Sequence, residues 1–117
     1  MSTAAETKLL IKADPRWWKI PLMDFVDDFR RRKDPTMIEQ PFVADDEQID
    51  ATLAAVIEDL CDEMGITIPT WLAQIPSCRT PFFVAGIENL KATAIVESPV
   101  RFRMRKVFVL ENFLKRV

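Results

Sequence analysis

Residues 45–66 read DDEQIDATLAAVIEDLCDEMGI, and this stretch decides the fold class. Ile49, Leu53, Val56, Ile57, Leu60 and Met64 recur at the spacing that lines one face of a helix. Asp45 stands where an N-cap is wanted, and Gln48 is placed three residues on for the return bond. Gly65 offers the left-handed stop that a β-carbon resists, with Ile66 as the apolar contact beyond it. The spacing predicts a helix over 45–64. Its carboxylates, Asp45 to Glu47, Asp50, Glu58, Asp59, Asp62 and Glu63, read as a solvated face opposite the stripe. They do not make an EF-hand, which needs a central glycine and oxygen donors at alternate positions.

Towards the N-terminus, Leu22, Phe25, Val26 and Phe29 mark a second helix, over 22–33. Asp24, Asp27 and Asp28 come early and Arg30 to Lys33 late, an order that complements the helix dipole, and Asp34-Pro35 stops it. Before it lies the proline-bounded DPRWWKIP, residues 14–21. Trp17 and Trp18 are costly to leave in water, so they are expected to fold the N-terminal arm onto the core. Residues 1–13 read as a tail or, through TKLLIKA, an edge strand.

Towards the C-terminus, 67–75 predicts a short helix with Trp71 and Leu72 inward. Pro81 opens another helix, over 82–97, that is apolar nearly all round and therefore expected to be central and buried. Gly86 would let a neighbour approach closely, and a buried Glu88 would need an arginine from the last segment. The segment 100–109 stays open between strand and helix. Arg101 to Arg105 alternates charged and apolar residues, but Ser98 and Pro99 also suit a helix start. Phe108 to Val117 suggests a final short helix. The expected architecture is mainly α, a single-domain bundle of four to five helices over 14–117, with room for one short strand pair of 7–13 with 100–109.

Composition narrows the chemistry. The 117 residues suffice for one core. Only two glycines, Gly65 and Gly86, argue against an all-β sandwich or barrel, which needs many tight turns. No histidine is present, which excludes an imidazole base or a His-ligated metal from this chain. Cys61 and Cys78, 17 residues apart with no second pair, are not a zinc pattern, and read as free thiols of a cytoplasmic protein. MSTAAETKLLIK carries Glu6 and no long apolar run, so no secretory leader is expected. No window approaches the roughly 18 apolar residues of a membrane helix. Neither a glycine-rich phosphate loop nor a GxSxG elbow occurs. No catalytic residue, cofactor site or metal site is expected.

The net charge of −2 conceals segregation. Asp34 to Ile66 holds ten acidic residues and no basic one, while Ser98 to Val117 holds six basic residues and one acidic. The simplest arrangement lays these two segments side by side. The stretch SPVRFRMRKVFV, residues 98–109, concentrates the cations. Arg101, Arg103, Arg105 and Lys106 are candidate phosphate or partner contacts, with Phe102 as a stacking surface. A pI near 5.2 disfavours general nucleic-acid binding.

The run GIENLKATAIVESPVRFRMRKVFVLENFLKRV, residues 86–117, resembles a C-terminal signature of small uncharacterised bacterial proteins, ESP..FR.R..FV...FL.R. The resemblance covers about a quarter of the chain. It implies a bacterial or mobile-element origin and that Glu97, Ser98, Pro99, Phe102, Arg103, Arg105, Phe108 and Val109 act as one unit. It brings no activity and no catalytic residues.

The functional expectation is a small non-enzymatic interaction or regulatory protein, a partner-binding subunit or an antitoxin-like regulator. It would contact a protein partner or a second copy through its charged faces and any exposed part of Trp17, Trp18 and Phe42. Nucleic-acid binding through the C-terminal arginines is the alternative.

Overall fold

The computed structural model describes residues 2–84 and 90–115. Helix α1 spans Ala4–Ala13, α2 Lys19–Arg32, α3 Glu47–Met64, α4 Lys91–Glu97 and α5 Val100–Met104. Single 3₁₀ turns lie at Pro15–Trp17, Pro35–Ile38 and Thr70–Gln74. Two short strands, β1 (Phe82–Phe83) and β2 (Val107–Phe108), complete a mainly α fold.

Helix α3 is the axis. Asp46 is its N-cap, one residue later than the sequence suggests, and accepts from the Ile49 N–H at 3.2 Å. Gly65 ends it at φ 68°, and the Ile66 N–H returns to the Cys61 carbonyl. Every residue from Asp50 to Glu58 is buried, so the middle of α3 is enclosed on all sides and not on one stripe alone, while Glu47, Gln48, Asp62 and Glu63 at its ends are exposed. The reason lies between the stripe positions. Ala51, Thr52, Ala54, Ala55 and Cys61 are small, so neighbouring elements can approach closely enough to cover them. Phe25, Phe29, Leu72 and Phe102 fill the space around Leu53, Ile57 and Leu60.

Helix α2 begins earlier than its stripe. Pro21 falls in the first turn, where no backbone bond is lost. Its C-cap, Lys33, is left-handed at φ 52°, and its N–H bonds the Phe29 carbonyl at 2.7 Å.

Three expectations are corrected. Residues 4–13 are neither tail nor edge strand but a helix, N-capped by Thr3, which accepts from the Glu6 N–H at 3.1 Å. Its buried side, Ala4, Thr7, Lys8 and Ile11, has helical spacing. The strand pair joins 82–83 to 107–108, not 7–13 to 100–109. It is parallel, with Phe82 opposite Val107 and Phe83 opposite Phe108, whose rings stack at 5.1 Å. Aromatic and β-branched residues suit a pleated surface, which favours strand over helix at both places. Finally, 82–97 is not one buried helix. Phe82 and Phe83 are strand, and the helix among its described residues is α4, of which Ala94 alone is buried while Ile95 and Val96 face solvent. The contact expected at Gly86 and the pairing expected of Glu88 fall outside the described residues.

The 100–109 ambiguity resolves into both forms: α5, then a left-handed Lys106 at φ 58°, then β2. Residues 111–114 form turns in place of the expected last helix. Ser98 Oγ ties this region together, donating to the Ala94 and Val109 carbonyls and accepting from the Val109 N–H at 2.8 Å.

Candidate interaction surfaces

The arginine cluster is mostly spent on the fold. Arg105 is buried and grips Glu58 through Nε at 2.7 Å and Nη2 at 3.2 Å. It also donates to the carbonyls of Ile75 at 2.7 Å and Leu72 at 2.8 Å. Arg101 forms a forked pair with Asp62 at 2.8 and 3.2 Å, and that hydrogen bond raises its pKa further. The basic segment therefore lies against the acidic helix, as the charge segregation suggests. Phe102 is in the core, edge-on to Phe113 at 5.9 Å, and offers no stacking face to a ligand. Arg103 and Lys106 are exposed.

The second basic run is also dispersed. Arg31 and Arg32 pair with Asp28, and Arg30 pairs with Glu63 and donates to the Leu114 carbonyl at 2.7 Å. Asp28 is held well below the usual carboxylate range, first by the Ser2 N–H and then by Arg32.

Two carboxylates of α3 are not on a solvated face. Glu58 meets Arg105 in the interior. Asp50 is buried and binds the Lys8 ammonium, which also meets Asp45 at 2.8 Å and the Val43 carbonyl at 2.6 Å. Burial pulls the Lys8 pKa down, but the hydrogen bonds to Asp45 and Asp50 outweigh it and leave the pKa raised. Lys12 and then Lys8 hold Asp45 down at about 2. This cluster docks α1 on the start of α3. Asp59 is pushed up, mainly by burial and then by Glu63 and Asp62. Among the described residues, no group of three or more cysteine or carboxylate side chains is arranged to hold a metal ion.

The tryptophans part ways. Trp18 packs on the core beside Phe113, at 6.3 Å. Trp17 is 56% exposed, against the expectation that both would be covered. The connection Asp14 to Trp18 turns too sharply for consecutive indoles to face the same way. Phe42 is buried and edge-on to Trp71, so it offers no surface.

Trp17 does not stand alone. With Leu10 of α1 and Ile20 of α2, each more than half exposed, it lines a groove of about 410 Å³ between the two helices. Glu6, Asp14 and Asp24 border it, and no lysine or arginine side chain among the described residues lines it. Sequence reading found Trp17 but missed Leu10 and Ile20. The available signal was that both fall off the buried stripes of their helices.

A second apolar surface lies on α4 and α5. Val100 and Met104, four residues apart on one helical face, are 55% and 64% exposed. Val96, at the end of α4, is 79% exposed. Arg103, exposed, lies on α5 itself, exposed Lys106 follows just beyond it, and exposed Glu97 ends α4. No helix of the described residues is long and apolar enough to cross a membrane. No family model matches the chain, and neither a curated protein nor a solved structure matches it significantly.

Proposed function

We propose that the protein is a non-enzymatic interaction module whose acid-bordered groove between α1 and α2 takes an apolar, basic segment of another polypeptide. The observation that carries this reading is the exposure of Leu10, Trp17 and Ile20 together in one concave site. Covering a leucine or isoleucine fully contributes about 1.5–3 kcal/mol, and tryptophan is among the side chains that most often dominate binding energy. Glu6 and Asp14 at its border select a cationic partner and speed its encounter. Such a module serves as a partner-binding or antitoxin-like regulatory subunit in the cytoplasm. Its free, buried thiols at Cys61 and Cys78 suit that setting.

Nucleic-acid binding through the C-terminal cluster has less support. Two of its four cations, Arg101 and Arg105, already hold carboxylates, and Phe102 is buried.

Two synthetic amphipathic helical peptides test the reading. They share one leucine stripe, flanked by lysines in one and by glutamates in the other. Titrated against tryptophan fluorescence, the lysine peptide is expected to bind at least tenfold more tightly than the glutamate peptide, and Leu10→Asp, which removes an apolar contact of the groove, to weaken binding of the lysine peptide. Equal binding of both peptides, or unchanged binding to Leu10→Asp, would overturn the proposal.

A further inference from the structure

Two apolar surfaces of this chain have opposite borders. The α1–α2 groove is edged by Glu6 and Asp14, while α5 carries exposed Arg103, one turn from Val100, with exposed Lys106 just beyond its end. We infer that the segment seated in the groove is the α4–α5 surface of a second copy of this chain. The inference rests on the groove being a docking site, and it names the occupant.

One copy does not satisfy both surfaces by itself. Lys8 fixes α1 at Asp50, near the start of α3, and Arg101 fixes α5 at Asp62, near its end. At 1.5 Å per residue these anchor points lie about 18 Å apart along the helix axis. Both ion pairs tie their helices to the rigid central element, so neither surface swings over to meet the other. A second copy brings the complementary surface without any rearrangement. Val100 and Met104 would enter between Leu10, Trp17 and Ile20, while Arg103 and Lys106 meet the carboxylates at the border. Because groove and α4–α5 surface are different patches, the contact is heterologous. It leaves one free groove and one free apolar face on every pair, and grows to a ring or a short chain. The spread of exposed hydrophobic side chains over both ends of a small protein follows from such an assembly.

Mixing two variants tests this directly. In sedimentation velocity, the wild type is expected to shift above the monomer mass as concentration rises, less so at high salt. Leu10→Asp and Val100→Asp, both at exposed positions, are each expected to stay monomeric, with Met104→Asp as a second variant of the α4–α5 surface. Mixed in equal amounts, the groove variant and the α4–α5 variant should form a 1:1 complex that grows no further, because one intact groove and one intact apolar face remain between them. A wild type monomeric at every concentration, or a mixture that stays monomeric, would overturn the inference. If the lysine peptide still binds the groove of a monomeric wild type, only self-docking falls and the docking site stands.

Discussion

Arg105 and Glu58 form a two-point ion pair inside the protein, at 2.7 and 3.2 Å, with both side chains nearly out of water. The guanidinium gives two further donors to the carbonyls of Leu72 and Ile75. One residue thus fastens the end of α5 to α3 and to the 70–75 turn, and it is among the basic residues that sequence reading offers to an external ligand.

Removing one partner leaves the other charged and buried, so Glu58→Ala is expected to lower stability by about 3–5 kcal/mol. Arg105→Met should cost a comparable amount, because it strands the two carbonyls as well as Glu58. Urea denaturation followed by circular dichroism measures both. Arg103→Ala, at an exposed position, should change stability by no more than about 0.5 kcal/mol.

Around Lys8 the effect depends on pH. The Asp45 carboxyl, near 3.8 when unfolded, is lowered to about 2 by Lys12 and Lys8. A lowered acid stabilises the fold at pH above its unfolded value, and that contribution is lost as pH falls from about 3.8 towards 2. Lys8 runs in the opposite sense. Its raised pKa contributes in full below 10.5 and is lost as pH climbs through the folded value. Melting temperatures across pH are therefore expected to fall at both extremes, and Asp45→Asn should make the acid side shallower and, because Asp45 helps hold the Lys8 pKa up, weaken the alkaline contribution as well.

Thiol reactivity reports on the core. Burial, then the charges of Asp62 and Glu58, push the Cys61 thiol up to about 11, and burial then Glu47 raise Cys78. Neither side chain is exposed. Ellman's reagent is expected to label the native protein very slowly and both thiols at once after denaturation. Fast labelling of one thiol in the native protein would contradict the burial described.

For nucleic acid, only Arg103 and Lys106 of the 98–109 cluster are exposed and outside the ion pairs described. If low-salt binding to a DNA duplex is detected, two phosphate contacts give a slope of log affinity against log salt near −1.8, at about −0.9 each. A slope of about −3.6 would mean that all four cations of the cluster are engaged.

The sequence announces some of this and hides the rest for identifiable reasons. Helices α2 and α3 are legible because their apolar residues alone draw the stripe. Helix α1 is hidden because half of its buried side is polar: Thr7 and Lys8 stand where apolar residues are expected, and Lys8 is tolerated there only because Asp50 arrives from α3. No local pattern carries that information. Helix α4 misleads in the other direction, since its apolar composition reads as burial while Ile95 and Val96 face water. Opposed charge runs do place Arg101 beside Asp62, but not the inward turn of Arg105. Leu10, Trp17 and Ile20 meet only because the Asp14 to Trp18 connection folds α2 back along α1, so the groove belongs to the fold and not to any segment.

A ligand that docks in the α1–α2 groove touches the protein there and not at the α4–α5 surface. In ¹H–¹⁵N correlation spectra titrated with the lysine-flanked peptide, shifts are expected to concentrate on the amides of Glu6, Leu10 and Ile20 and on the Trp17 indole. Shifts centred on Arg103 and Lys106, or none anywhere, would contradict docking in the groove.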